Sequence, residues 1–143
     1  MLAVVAGVLV LTWLIALSGY DMRSRRLPNW LTLPAAVVVP LIAAGAGRGG
    51  SALAGAAALS GVYLAVHLIS PSGLGAGDVK LAVGLGALTG SFGADVWLLA
   101  ALAAPLLTGV CAVGVAVARG QKVVPHGPSM CLASAIAVAL AMR

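Results

Sequence analysis

The segment "VWLLAALAAPLLTGVCAVGVAVA", residues 96–118, contains no charged side chain. A helix needs about 20 apolar residues, within a range of roughly 17–25, to cross the hydrocarbon core of a bilayer. On either side of this segment, five further stretches of the chain are apolar: residues 2–19, 31–47, 51–70, 79–92 and 127–142. The stretches at 79–92 and 127–142 are short, and the first of these two is rich in glycine. The sequence therefore predicts an all-α, polytopic bundle of about six transmembrane helices.

The composition excludes a water-soluble domain. The chain has 143 residues, of which 62% are hydrophobic and 8% are charged, and its mean hydropathy is +1.16. A soluble domain carries roughly 25% charged residues. The net charge of +5 does not indicate a nucleic-acid partner, because the basic residues form short clusters between apolar segments. We expect one membrane-embedded domain over residues 1–143.

Small residues recur within the apolar segments. They suit helices that approach one another closely, because lipid supplies no hydrophobic drive for helix association. We expect helix contacts at several of them: Gly55, Ala58, Gly61, Gly84, Gly86, Gly109 and Gly114.

The distribution of basic residues predicts the topology. No basic residue precedes the first segment and "RSRR" (23–26) follows it, which favours a retained helix with its N-terminus outside over a cleaved signal peptide. With six spans, the cytoplasmic side then receives Arg23, Arg25, Arg26, Lys80, Arg119 and Lys122. The outer side receives only Arg48 and Arg143. This bias predicts a multi-pass protein of the cytoplasmic (inner or plasma) membrane.

The chain has three carboxylate side chains, Asp21, Asp78 and Asp95. The predicted topology places Asp21 and Asp78 on the cytoplasmic side and Asp95 outside. Carboxylates near a membrane are costly, usually functional and often paired. Two carboxyl groups that share a proton can activate a water molecule toward a peptide carbonyl. Gly75 and Gly77, which have no Cβ, would let the backbone beside Asp78 approach a substrate strand closely.

Simpler roles remain open for these residues. Asp78 could be the N-cap of the fourth helix, and Asp21 could be an interfacial residue paired with a nearby arginine. We expect Asp95 to be a helix cap. We expect His67 to form an interhelical hydrogen bond and His126 to lie exposed in a loop. Lys80 fits either a headgroup anchor or a substrate contact.

The segments "YDMRSRRLPN" (20–29) and "GLGAGDVKL" (73–81) resemble the type IV prepilin peptidases, which are membrane aspartyl proteases of the GxGD kind. That family has an acid after its first core helix, then a basic stretch, a hydrophobic-Pro-Asn element and a GxGDxK motif. These elements fall here on Asp21, Arg23 to Arg26, Leu27, Pro28, Asn29, Gly75, Gly77, Asp78 and Lys80. The segment "VPHGPSM" (124–130) resembles a Pro-Phe-Gly-Pro element of the family, with His126 where an aromatic residue is usual.

The resemblance implies an endopeptidase that removes the basic leader of prepilins or pseudopilins at the cytoplasmic face, after a glycine. Asp21 and Asp78 would be catalytic. Six residues would position the backbone or the substrate: Gly75, Gly77, Lys80, Arg26, Pro28 and Asn29. No cofactor or metal is expected, and the partners would be the precursor and the lipid bilayer.

Larger relatives also methylate the new N-terminus with a region that carries a cysteine cluster. The two cysteines here, Cys111 and Cys131, fall inside predicted spans and are too few for two CxxC pairs. We therefore predict cleavage without methylation, as in the short peptidases of tight-adherence or archaeal-type pilus systems.

Two alternatives remain. Presenilin-like intramembrane proteases share the "YD" and "GAGD" elements, but they are longer and have a Pro-Ala-Leu element that this chain lacks. A small membrane scaffold or transporter subunit could instead use its acids to cap helices or relay protons.

Overall fold

The computed structural model describes residues 1–120 and 123–143, with the backbone but not the side chains of Leu2 and Ala3. Lys122, which the topology prediction counts, lies outside the described residues. Within the described chain there are six α-helices and no strand: α1 (Leu2–Ser24), α2 (Asn29–Gly45), α3 (Gly49–Ile69), α4 (Ala76–Gly90), α5 (Ala94–Arg119) and α6 (Gly127–Ala141). The predicted all-α bundle is confirmed, with one helix for each predicted apolar segment.

Three helices are long and apolar enough to cross a membrane. These are α1 over Val4–Ser24, α3 over its whole length and α5 over its whole length, with 21, 21 and 26 residues. Helices α2 and α6 are apolar but shorter, and α4 has only 15 residues. The six spans and the external N-terminus therefore stay predictions.

The short helix α4 lies at the centre of the bundle. It packs against α2, α3, α5 and α6. Every residue from Leu81 to Gly90 except Val83 is buried. Fifteen residues at about 1.5 Å each give a helix of only about 22 Å, less than the hydrocarbon thickness of a bilayer. Because the other helices enclose α4, its apolar surface is buried by protein.

Glycines bring α3 and α4 into close contact. A Cβ added to Gly86 would lie 2.5 Å from the carbonyl oxygen of Gly55, and one added to Gly90 would lie 2.7 Å from the carbonyl oxygen of Ser51. The prediction of small contact residues is confirmed for Gly55 and Gly86, and for Gly84, which packs against Trp13.

The other four positions make no close helix contact. Ala58 is exposed, and an added Cβ would meet no atom within 4 Å at Gly61, Gly109 or Gly114. The composition of a segment therefore does not tell which of its small residues face another helix.

The ends of α1 and α5 differ from the predicted boundaries. Helix α1 continues beyond residue 19 to Ser24, so Asp21 lies within its final turns, and Arg25 ends the helix with φ 50°. Helix α5 has Gly93 as its N-cap, with φ 120°, and no side chain caps it. Asp95 is an exposed residue of the first turn. The prediction that Asp95 caps this helix is wrong.

Candidate active site

Asp21 is a buried acid near the end of α1, with 6% of its surface exposed. Its Oδ2 atom accepts a hydrogen bond from the backbone N–H of Gly127, at 3.0 Å. Gly127 is the first residue of α6, where a backbone N–H has no partner within the helix. The N-terminus of a helix also carries a partial positive charge, which favours a carboxylate beside it.

Asp78 lies in the first turn of α4 and is half-buried. Gly75 is the N-cap of this helix, and no side chain caps it. The alternative that Asp78 is the N-cap is therefore wrong. Gly77 packs against Leu27, because a Cβ at this position would lie 3.2 Å from the Cβ of Leu27. Gly77 thus lets the start of α4 lie against the segment that follows α1.

Asp21 and Asp78 line one cavity of about 270 Å³. The rest of its lining consists of three basic residues, one leucine and the backbone before Asp78: Arg25, Arg26, Lys80, Leu27, Gly75, Ala76 and Gly77. The three basic side chains are exposed, whereas Asp21 is buried. The cavity therefore combines two acids with a positively charged exterior, and it is large enough to admit water.

Lys80 is held beside the cavity. Its Nζ donates a hydrogen bond to Oδ1 of Asn29, at 2.9 Å. Asn29 is the first residue of α2 and Pro28 is the N-cap of that helix. Of the predicted positioning residues, Arg26 and Lys80 line the cavity, whereas Pro28 and Asn29 do not. The hydrogen bond therefore joins the start of α2 to the start of α4 next to the acids.

His126 connects three helices, and the prediction that it lies exposed is wrong. The residue is half-buried. Its Nε2 atom is 2.8 Å from the hydroxyl of Tyr63 in α3, and its Nδ1 atom forms a hydrogen bond with the hydroxyl of Thr108 in α5. The adjacent Gly127 contacts Asp21. Tyr63, His126 and Thr108 are called the histidine network below.

The partners of His126 assign its tautomer. The hydroxyl of Thr108 donates to the carbonyl oxygen of Ala104 at 3.0 Å, so it accepts from the Nδ1–H of His126. The Nε2 atom of a neutral ring then accepts from the hydroxyl of Tyr63. Burial lowers the pKa of His126 from its ordinary value of 6.5. Burial therefore favours the neutral ring, for which the two partners select the Nδ1–H tautomer.

We expect His126 to contribute stability that is lost as the pH falls below the ordinary histidine pKa. The pKa of His126 is lower in the folded chain than in the unfolded chain, so the unfolded chain binds the proton more readily below about pH 6.5. Because other groups also titrate in this range, the test compares the natural protein with His126→Gln in detergent at pH 7.5 and 5.5. The Tm of the natural protein should fall by a few degrees relative to that of His126→Gln at the acidic pH. An equal change of Tm in the two proteins would contradict the assignment.

The prediction for His67 is corrected by the structure. His67 donates from Nδ1 to the carbonyl oxygen of Leu74, at 2.6 Å, in the loop that follows its own helix. The interhelical hydrogen bond predicted for His67 is made instead by Tyr63, one turn earlier. Cys111 is exposed and Cys131 is buried, and both are free. Only Cys131 is therefore packed within the bundle.

Sequence reasoning gave no role to Tyr63 or Thr108, and it placed Gly127 only within the element at 124–130. The available signal was weak: a tyrosine and a threonine in apolar helices, which need hydrogen-bond partners when they face the bundle interior. Among the described residues, no group of three or more His, Cys, Asp or Glu side chains could hold a metal ion.

The fold and the cavity define a class of protein: a helical membrane bundle with two aspartates in one cavity. The chain belongs to the type IV leader peptidase family, whose family model matches residues 8–113. This match includes both aspartates and ends before His126 and Gly127. No curated protein and no solved structure matches the chain.

Proposed function

We propose that the protein is an aspartic endopeptidase that removes the basic leader of prepilins or pseudopilins. Membership of a peptidase family supports the class of reaction. The observation that carries the assignment of catalytic residues is that Asp21 and Asp78 line the same cavity. We further propose that residues 1–143 form a single peptidase domain and that cleavage occurs at the cytoplasmic face, as the distribution of basic residues predicts.

In the proposed reaction, one carboxylate takes a proton from a water molecule, and the resulting oxygen nucleophile attacks the carbonyl carbon of the leader glycine. The other carboxyl group, protonated at the start, donates its proton to the carbonyl oxygen. The tetrahedral intermediate then collapses. The C–N bond breaks, and a carboxyl group delivers a proton to the departing amine. The products are the leader with a C-terminal glycine carboxylate and a pilin with a new amino terminus.

The residues around the cavity suit a peptide substrate. The exposed backbone at Gly75 and Ala76 has no bulky side chain that would block an extended strand. The hydrogen bond from Lys80 to Asn29 fixes the edge of the cavity between α2 and α4. In this proposal Gly75, Gly77, Arg26 and Lys80 position the scissile bond, and Pro28 and Asn29 set the start of α2.

The test is co-expression of the full chain with a pilin precursor that carries a basic leader, followed by mass spectrometry of the product. We expect a mature pilin that begins directly after the leader glycine. The matched control is the double variant Asp21→Asn with Asp78→Asn, which should leave the precursor intact. Equal cleavage by the control would contradict the assignment of the acids. An intact precursor with the natural sequence would favour a scaffold.

A further inference from the structure

We infer that Gly127 and the histidine network position the carboxyl group of Asp21 for catalysis, an inference that rests on the proposed function. The Tyr63, His126 and Thr108 side chains would act through the turn that carries Gly127, and none of them would touch the substrate. They are therefore positioning residues.

The first step of the argument is the contact between Gly127 and Asp21. The N–H of Gly127 donates to Oδ2 of Asp21 at 3.0 Å. The two residues are so close that a Cβ added to Gly127 would lie 2.5 Å from this same Oδ2. A side chain at position 127 would therefore displace the carboxyl group of Asp21. The carboxyl group of Asp21 is fixed at one oxygen, which leaves the other free for a water molecule.

The second step is that the histidine network fixes the position of Gly127. His126, the residue directly before it, is held on one side by the hydroxyl of Tyr63 and on the other by the hydroxyl of Thr108. The rings of Tyr63 and His126 also contact each other, with centroids 5.5 Å apart. Since these partners lie on α3 and α5, the start of α6 is tied to two helices that do not supply the catalytic acids.

The third step concerns the donor and acceptor roles in the histidine network. The hydroxyl of Tyr63 donates to His126, His126 donates to Thr108, and Thr108 donates to the backbone of α5. In this series of hydrogen bonds each donor meets an acceptor, which makes one orientation of the His126 ring strongly preferred. A phenylalanine at position 126 could form neither bond. The match to the family model ends at residue 113, before His126.

The experiment measures kcat and KM for cleavage of a pilin-precursor peptide by the purified full chain in detergent. Tyr63→Phe removes one hydroxyl and should lower kcat about tenfold with KM unchanged. Gly127→Ala should lower kcat by roughly 10- to 100-fold, because the added methyl group displaces the Asp21 carboxyl. His126→Gln, whose amide can both donate and accept, should retain more activity than His126→Ala.

The matched control is Trp97→Phe, which removes the hydrogen bond from the indole N–H to the carbonyl oxygen of Gly55, at 3.0 Å. This variant also loses one bond between helices, and its kcat should stay within twofold of the natural value. Melting temperatures of all variants show whether each protein is folded.

Three outcomes would overturn the inference. The first is an unchanged kcat in Tyr63→Phe, and the second is a rise in the KM of that variant with no change in its kcat. The third is a loss of kcat in Trp97→Phe as large as the loss in Tyr63→Phe. The catalytic role proposed for Asp21 is tested separately by Asp21→Asn in the same assay. If Asp21→Asn is inactive while Tyr63→Phe and Gly127→Ala retain the natural kcat, the inference fails and the proposed function stands. If Asp21→Asn keeps the natural activity, the catalytic role of Asp21 fails and the inference fails with it, whereas a natural protein that leaves the precursor intact contradicts the proposed function itself.

Discussion

Replacing Asp78 with asparagine is expected to lower the rate of leader cleavage by at least about 1,000-fold, and Asp21→Asn by a similar factor. An amide neither takes a proton from water nor supplies one to a carbonyl oxygen, so either change removes one half of the proposed acid–base pair. Both substitutions are nearly isosteric. Asparagine at position 21 can still accept the hydrogen bond from the N–H of Gly127 through its carbonyl oxygen, so the fold should be retained.

The third acid provides the control for this experiment. Asp95 lies exposed in the first turn of α5 and does not line the cavity. Asp95→Asn removes the same charge from the protein and should keep cleavage within twofold of the natural rate. Rates are measured with the purified proteins and one precursor peptide. Activity of Asp21→Asn or Asp78→Asn at the level of Asp95→Asn would contradict the catalytic assignment.

Gly86→Leu is expected to lower the free energy of unfolding by about 3 kcal/mol, at the upper end of the cost of overpacking a core. The Cβ alone would lie 2.5 Å from the carbonyl oxygen of Gly55 and 3.0 Å from the Cα of Ala56. Both of these atoms belong to the backbone of α3, so the clash cannot be relieved by a change of rotamer. The two helices must move apart, and α4 carries Asp78 with it.

Glycines with open surroundings provide the comparison. An added Cβ at Gly109 in α5 would meet no atom within 4 Å. Gly109→Ala should keep or raise the stability by roughly 0.5–1 kcal/mol, because alanine loses less backbone entropy in a helix. Reversible denaturation in mixed micelles measures both variants. A Gly86→Leu protein as stable as Gly109→Ala would show that α3 and α4 do not pack as closely as described.

The sequence predicted the helices well and their ends less well. Apolar length is a strong signal, because few other structures place so many apolar residues in succession. Apolar length marks only the part of a helix that suits lipid. Helix α1 continues beyond that part, through Tyr20, Asp21 and Arg23 to Ser24. In this final turn the hydroxyl of Ser24 donates to the carbonyl oxygen of Tyr20, at 2.7 Å, which hydropathy cannot reveal.

The candidate site was predicted only in part. Asp21, Asp78 and the glycines beside Asp78 could be selected because acids are rare in this chain and a family motif surrounds them. The contact between Gly127 and Asp21 joins residues 106 positions apart, and that between Tyr63 and His126 joins residues 63 positions apart. Such pairs depend on how α3, α5 and α6 pack. No local pattern in one sequence encodes that packing.

The central claim is that Asp21 and Asp78 act as a unit on one water molecule. Single-turnover cleavage by Asp21→Asn, by Asp78→Asn and by the double variant tests it most directly, because members of a catalytic unit have strongly non-additive effects. We predict that all three rates are equally low. A double variant slower than the natural protein by the product of the two single effects would show that the two carboxyl groups act independently, and would contradict the account.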